Sequence, residues 1–343
     1  MKTFPKNTNK KKYNNRKEVT NFEQYLLFLP CQVYNYLCLQ KGVKEIQRIL
    51  SFSSKECHTI LINSLGSSIS IVMMDLYGNY FIQEFVKSLN SNQITLILNY
   101  ISNSFVTISH NSYGTYSIQA LLEHIKASHE QIIINSIAGS EIEMVIDSNA
   151  THVLQKIIMI VNEKKRTSLN EIIYSNFEKL CCAQNGICLI KKFITKIQSE
   201  VNLNRVITLL SQCCLNISEN PYGNYAIQFI MDELHLEIIK PIVNILITNI
   251  VFISTQKFSS NVAEKVIALS NKEQFMRISS IILSQKNIIN VIKNKYGRYV
   301  VKKLLLRMTQ EQKESIISNF ESVNVSTMKE RIIINAFIDF VNI

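Results

Sequence analysis

A short phrase that marks the start of a helix returns about every 36 residues along this 343-residue chain. In each copy a Gly, Ala or Ser occupies a turn slot, and helix-compatible residues follow it. The eight copies read KGVKEIQ, YGNYFIQ, YGTYSIQ, NATHVLQ, NGICLIK, YGNYAIQ, FSSNVAE and YGRYVVK. The residue after the slot is, in order, Val43, Asn79, Thr115, Thr151, Ile187, Asn224, Ser260 and Arg298. A period this constant predicts stacked units, each of which buries its apolar face only against its neighbours.

The second copy shows what one unit contains. Phe81, Ile82, Phe85 and Val86 recur at helical spacing and predict one buried face. The segment 93–101 predicts a further amphipathic helix before the next phrase begins. Each unit is therefore expected to hold a phrase helix and a second helix.

Charge divides the chain into a tail and a body. Residues 1–20 hold seven basic residues and one acidic residue, so we expect a basic, disordered tail there and one repeat domain over residues 21–343. The net charge of the whole chain is +11, and residues 21–343 carry +5 of it, so the body is only mildly basic. That balance permits an anionic partner without requiring one. The last 40 or so residues, with apolar Ile332, Ile333, Phe337, Ile338 and Phe340, predict a capping segment.

Several function classes find no support in the sequence. The two adjacent cysteine pairs at 181–182 and 213–214 lack metal-ligand spacing, and His124 and His129 are five residues apart, so no metal site is expected. Reduced thiols suggest an intracellular protein. No segment looks long and apolar enough to span a membrane; the most apolar stretch, 242–253, is short and holds two asparagines. Catalytic motifs are missing, so we expect no enzyme and no cofactor.

Three positions in each copy carry the candidate chemistry: the first, second and fifth residues after the turn slot, named here the reading positions. They stay polar or aromatic in most copies, whereas a buried slot would not readily tolerate Tyr, His, Asn, Lys and Cys in turn. In order along the chain they are Val43/Lys44/Gln47, Asn79/Tyr80/Gln83, Thr115/Tyr116/Gln119, Thr151/His152/Gln155, Ile187/Cys188/Lys191, Asn224/Tyr225/Gln228, Ser260/Asn261/Glu264 and Arg298/Tyr299/Lys302.

These residues suit recognition of nucleic-acid bases. Asn and Gln carry donors and acceptors, which match the two carbonyls and one N–H of uracil. An ionised Glu264 only accepts, and the Watson–Crick edge of guanine presents two donors. The flat side chains Tyr80, Tyr116, His152, Tyr225 and Tyr299 can stack on bases. Taken singly, such a tyrosine is more often a core residue, and Glu264 could instead pair with Lys257 or Lys265.

With its phrases YGNYFIQ, YGNYAIQ and SSNVAEK, the chain resembles the Pumilio (PUF) family over residues 22–343, and the Ser-Asn-x-x-Glu unit is the seventh of eight as in that family. The resemblance implies an all-α, right-handed solenoid, a crescent of eight repeats with capping segments. It also implies single-stranded RNA bound one base per repeat, a code known for such repeats and not worked out from this sequence. Base edges would be read by Gln47, Asn79, Gln83, Thr115, Gln119, Thr151, Gln155, Asn224, Gln228, Ser260, Glu264, Arg298 and Lys302, and stacking would use Lys44, Tyr80, Tyr116, His152, Tyr225, Asn261 and Tyr299.

The family pattern implies antiparallel docking and a core of 5′-(U)GUnAAUn-3′. Copy seven would read G, copies six and two U, and copies four and three A. Three copies depart from the pattern. Copy eight has Arg298 and Lys302, copy five has Ile187, Cys188 and Lys191, and copy one keeps only Gln47, so their base preferences stay open. Lys191 is expected to be a solvated lysine at the rim.

The resemblance further implies a cytoplasmic, monomeric repressor of messenger RNA that binds 3′ untranslated regions and recruits effector proteins on its convex face. Two alternatives remain. A PUF-like ribosome-biogenesis factor, nuclear or nucleolar, would bind RNA less selectively. An α-solenoid scaffold would bind protein segments instead of RNA.

Overall fold

The computed structural model describes residues 30–51 and 54–321, together with residues 331, 332, 335 and 338. Every regular element in these described ranges is helical, and most are α-helices of two to three turns. The α-helices are α1 (Pro30–Leu37), α2 (Gln40–Leu50), α3 (Lys55–Leu65), α4 (Ile69–Met74), α5 (Gly78–Phe85), α6 (Ser91–Ile101), α7 (Phe105–His110), α8 (Gly114–Leu122), α9 (Glu130–Ile137), α10 (Glu141–Ile146), α11 (Ala150–Ile160), α12 (Thr167–Ser175), α13 (Phe177–Cys181), α14 (Gln184–Thr195), α15 (Glu200–Glu219), α16 (Gly223–Glu233), α17 (Leu236–Thr248), α18 (Ile250–Ser254), α19 (Ser259–Leu269), α20 (Lys272–Ile282), α21 (Gln285–Lys293), α22 (Gly297–Leu305) and α23 (Gln310–Glu321).

The helices form two compact units, one up to Ser168 and one from Leu169 onward. Each of the eight phrases lies in one helix, named here its reading helix. In the first unit the reading helices α2, α5, α8 and α11 contact one another in chain order. In the second unit α14, α16, α19 and α22 do the same. The predicted all-α stack of repeats is confirmed within each unit.

A typical repeat holds three helices where the sequence predicted two. The predicted helix over 93–101 lies within α6, but the short helix α7 follows it before the next reading helix starts. A 3-10 turn, Ser102–Ser104, separates the two and changes the chain direction. Copy six differs, because its α15 runs unbroken for 20 residues. The apolar periodicity continues through the break, so the sequence pattern did not show it.

The buried faces of the reading helices form the core of each stack. Phe81, Ile82, Phe85 and Val86 are all buried, as their spacing predicts. The rings of Phe81 and Phe85 stack with centroids 5.1 Å apart. Burial of such side chains contributes roughly 1.5–3 kcal/mol each, which makes this face the main source of stability for a repeat.

The expectation that no segment is long and apolar enough to span a membrane was wrong for one stretch. The stretch Lys55–Met74 is long and apolar enough, by length and composition alone, to cross a bilayer. It comprises α3, a 3-10 turn and α4, and half of it is buried inside the protein. Its apolar residues are those of a core helix, since Leu61, Ile62 and Ile69 are fully buried. The predicted tail over residues 1–20 and most of the predicted capping segment lie outside the described residues.

Candidate functional site

The reading helices begin at a repeated backbone device, an Asx turn. In copy two, Asp75 Oδ1 accepts hydrogen bonds of 2.8 Å from the backbone N–H groups of both Tyr77 and Gly78. These donors would otherwise be unsatisfied at a helix N-terminus. The residue three before the turn slot does the same in four other copies, through Asn111, Asp147, Asn220 and Asn294.

In the copies where glycine fills the slot, the backbone of an earlier turn passes very close to it. A Cβ at Gly78 would lie 2.4 Å from the carbonyl oxygen of Val72, six residues earlier. Gly114 and Gly223 meet the corresponding carbonyls at 2.4 and 2.3 Å. In copy seven the slot holds Ser259, whose hydroxyl donates a 2.9 Å hydrogen bond to the carbonyl of Ile253, again six residues earlier.

The second reading position is exposed in all eight copies. The tyrosines stand well out of the protein, with 56 to 62% of their surface accessible. Their faces are therefore not used in the core, which removes the interpretation that they are buried aromatics. The exposed residues are Lys44, Tyr80, Tyr116, His152, Cys188, Tyr225, Asn261 and Tyr299.

The first reading position is buried in seven copies, which the sequence did not show. In copy two, Asn79 Nδ2 donates to the carbonyls of Asp75 and Leu76 at 2.8 and 2.9 Å. Asn79 Oδ1 accepts a 2.9 Å hydrogen bond from Gln83 Nε2. Burial of the amide is tolerated because its hydrogen bonds are made. The half-buried Gln83 amide keeps its carbonyl and one N–H, a donor and acceptor that match a pyrimidine edge.

Copy six repeats this network in the second unit. Asn224 Nδ2 donates to the carbonyls of Asn220 and Pro221 at 3.0 and 2.9 Å, and Gln228 Nε2 donates to Asn224 Oδ1 at 3.1 Å. Two copies far apart in sequence thus present the same amide in the same way.

Copies three and four replace the asparagine by threonine. Thr115 Oγ1 donates to the carbonyl of Asn149 and accepts from Gln119 Nε2, both at 3.1 Å. In copy four, Thr151 Oγ1 and Gln155 Nε2 are buried without a hydrogen-bond partner in the protein. An unmade bond to a buried donor costs about 1–3 kcal/mol, so copy four holds polar groups that a ligand could satisfy.

Copy seven presents a carboxylate. Glu264 is half-buried, and burial raises its pKa while the nearby Lys303 ammonium lowers it. The alternative ion pairs do not form: Lys265 pairs with Asp232, and Lys257 lies over the ring of Phe258 at 4.9 Å. Glu264 therefore remains available to a ligand, and above its pKa it offers acceptors only.

Copies one and five have the same reading helix but lack a polar side chain at the first reading position. Val43 and Ile187 are buried and apolar at the first position, and Lys44 and Cys188 are exposed at the second. The expectation of a solvated Lys191 was wrong. It is half-buried, with its ammonium 5.2 Å from the ring centroid of Phe229 in the next reading helix.

Copy eight differs from the other copies in the exposure of its first reading position. Arg298 and Lys302 are both exposed, whereas the first position is buried in every other copy. Gln47 is half-buried in copy one. The sequence analysis placed the eight phrases on helices but missed the Asx turn, whose signal is an Asp or Asn three residues before the slot. No group of His, Cys, Asp and Glu suited to a metal ion occurs among the described residues.

Comparison with known proteins identifies the repeat family. The Pumilio-family RNA binding repeat matches residues 69–102, 104–138, 142–169, 213–247, 249–283 and 287–319, more than half of the chain. The six matches correspond to copies two, three, four, six, seven and eight. Copies one and five, which lack the polar first position, are the two without a match.

Curated relatives include Pumilio homolog 12 of Arabidopsis thaliana, 26% identical over 162 residues, which are 47% of this chain and 27% of that protein. Putative pumilio homolog 7, chloroplastic, of the same plant is 24% identical over 283 residues, 80% of this chain and 43% of that protein. The chain thus spans less than half the length of these relatives.

Solved structures share the fold. The Puf4 RNA binding domain bound to the HO endonuclease RNA 3′ UTR recognition sequence superimposes with a TM-score of 0.73 at 22% identity, covering 87% of this chain and 96% of that one. PUF-8 in complex with PBE-RNA gives 0.73 at 20% identity, covering 93% and 95%. With six matching repeats and this fold, the chain belongs to the Pumilio family of RNA-binding repeat proteins.

Proposed function

We propose that this chain binds single-stranded RNA sequence-selectively, with one exposed flat side chain and one polar edge per reading helix contacting each base. The observation that carries the proposal is that two positions of the same reading helix are arranged for different contacts with a base. In copies two and six the second position exposes a tyrosine for stacking, and the fifth position presents an amide that is fixed by a hydrogen bond to the asparagine at the first position.

The predicted element follows from the individual copies. In the second unit, Glu264 accepts from the two donors of guanine, and the Asn224–Gln228 pair matches uracil. In the first unit, Asn79–Gln83 matches uracil, and the Thr–Gln pairs of copies three and four favour adenine. Copies one and five discriminate weakly. The core is then 5′-(U)GUnAAUn-3′.

A regulatory role is the second part of the proposal. Puf4 and other structural neighbours were solved with 3′ UTR recognition sequences. By analogy with these neighbours, this chain would bind 3′ untranslated regions. It would do so as a monomer in the cytoplasm. It would repress its messages by recruiting effector proteins, because its reading helices hold groups that bind bases and none that suggests a reaction.

In vitro selection tests the binding proposal. A random RNA library is selected on the purified chain, and the affinity for the best sequence is measured by fluorescence anisotropy. We expect a GU-n-A-A-U core to be enriched. A flat selection with weak, strongly salt-dependent binding would instead mean contact with the phosphate backbone alone and would overturn the proposal.

The Glu264→Gln variant tests the base assignment. It should relax the preference for G at one position, at a cost of about 1–3 kcal/mol in discrimination. The matched control is Glu273→Gln, which removes the same charge from an exposed position on α20. Full retention of the G preference in Glu264→Gln would show that this carboxylate does not read the base.

A further inference from the structure

We infer that the eighth reading helix, α22, binds the RNA through a phosphate and a stacked base without reading a base edge, so that Arg298 and Lys302 form a backbone clamp at this end of the element. The inference rests on the proposed function and specifies what one of its sites takes.

Charge is the first observation. No acidic residue occurs between Glu273 and Glu311, a region that lies wholly within the described residues. Its basic residues are Arg277, Lys286, Lys293, Lys295, Arg298, Lys302, Lys303 and Arg307. The rest of residues 21–343 is slightly acidic overall. This region therefore holds the domain's basic excess. Such a local field attracts a polyanion and raises its rate of association.

Not all of these cations are available. Arg307 donates to the carbonyl of Ile267 and to Ser270, and it therefore fixes the end of α19. Lys303 faces Glu264, and Lys295 lies over the ring of Tyr296 at 4.9 Å. Arg298 and Lys302 are both exposed on the reading helix α22, and among the described residues neither has a carboxylate partner. Lys286 and Lys293 have none either, but they lie on α21, outside the reading helix.

The positions of Arg298 and Lys302 are the second observation. They are four residues apart and lie on the same face of α22. Two like charges at this spacing destabilise a helix unless an anion compensates them. At the equivalent first positions of the second unit, Ile187, Asn224 and Ser260 are buried. The longer Arg298 side chain is exposed, so its guanidinium extends beyond the place that the buried first-position side chains of the other copies occupy.

Donor chemistry decides which part of the nucleotide these residues bind. Arginine and lysine donate and cannot accept, yet the Watson–Crick edge of every base carries at least one donor. A phosphate offers acceptors only, together with a negative charge, and the planar guanidinium can bind it with two hydrogen bonds. Tyr299 has 60% of its surface accessible beside this pair and supplies a face for stacking. Stacking tolerates any base because every base has a π-face.

The test uses the full chain and RNAs that carry the selected core. The nucleotide of interest adjoins the G read by Glu264, on the side away from the following U. Binding is measured across a series of salt concentrations for the chain and for the Arg298→Gln/Lys302→Gln variant. The matched control is Lys179→Gln/Lys272→Gln, which removes two charges from exposed positions on α13 and α20. Circular dichroism confirms that each variant is folded.

For the clamp variant we expect the slope of log affinity against log salt to fall by about 0.7, the value for one lost single-strand phosphate contact. The control should keep the slope of the unmodified chain. A neutral methylphosphonate next to the nucleotide of interest should weaken binding to the chain and leave binding to the clamp variant unchanged. All four bases at that nucleotide should bind alike.

Two results would overturn the inference. One is an unchanged salt slope in the clamp variant. The other is a strong preference for one base that disappears with Arg298; guanine is one such case, because its O6 and N7 form an acceptor-only edge that arginine reads. If the unmodified chain selects no core at all, the proposed function fails instead, so the two failures are distinguishable.

Discussion

Copies five and six are neighbours in the second unit and share a backbone, but only copy six carries a complete reading site. A Cβ would lie 2.4 Å from the Leu180 carbonyl at Gly186 and 2.3 Å from the Ile217 carbonyl at Gly223. The residues that face the core are buried in both helices. At the reading positions, however, Ile187, Cys188 and Lys191 stand where copy six has Asn224, Tyr225 and Gln228.

The comparison shows that the repeat and its chemistry are separable. The fold depends on the slot and the buried face, which both copies keep. Under the proposed function, base recognition depends on three side chains and on the helix start. Copy six begins with the Asx turn of Asn220, whereas copy five has Ala183 at the same place and its helix starts two residues earlier relative to the slot.

The largest expected effect is on stability, and it should be equal in the two copies. Gly186→Val and Gly223→Val should each lower the free energy of unfolding by about 3 kcal/mol, because the new side chain would overlap a backbone carbonyl. Urea unfolding followed by circular dichroism measures this. Asn185→Val, at an exposed position beside the slot, is the control and should change little. A loss confined to copy six would show that the two backbones are not equivalent.

The next effect separates the copies by RNA affinity. Tyr225→Ala should weaken binding by roughly 1–3 kcal/mol, since a stacking surface is lost. Cys188→Ala should leave the affinity unchanged because the thiol offers no such surface. Anisotropy with the selected RNA measures both variants. Equal losses would mean that copy five also stacks a base.

A conversion tests whether the missing chemistry can be restored. The triple variant Ile187→Asn/Cys188→Tyr/Lys191→Gln should create a preference for U at the unread nucleotide, at about 1 kcal/mol of discrimination, the low end for a base contact. Adding Ala183→Asn, which supplies the Asx turn, should increase this preference. If the fourth change adds nothing, the helix start does not position the amide.

The smallest effect concerns pH and extends the comparison to copy seven. Burial raises the pKa of Glu264. The preference for G should therefore be complete above this raised pKa and decline as the pH falls through it, since a protonated carboxyl can no longer accept from both donors. The preference of copy six for U should not change, because amides do not titrate. Competition binding at pH 7.5 and pH 5 measures both preferences.

Sequence reasoning predicted the architecture better than the details of the site. The period located every reading helix, and the spacing of Phe81, Ile82 and Phe85 identified a buried face correctly. The exposure of Tyr80 followed from its place beside that face. The short helices such as α7 were missed because apolar periodicity does not register a turn between two helices with the same buried side.

By itself the sequence determined the repeat, the order of the copies and the residue types at each reading position, because these depend on spacing along one chain. Tertiary structure decided how those residues are held. Thr115 bonds to Asn149 in the following repeat, and the half-buried Lys191 places its ammonium over the ring of Phe229. Both partners belong to the next repeat, over 30 residues away, and the distance between such side chains is set only when the helices pack.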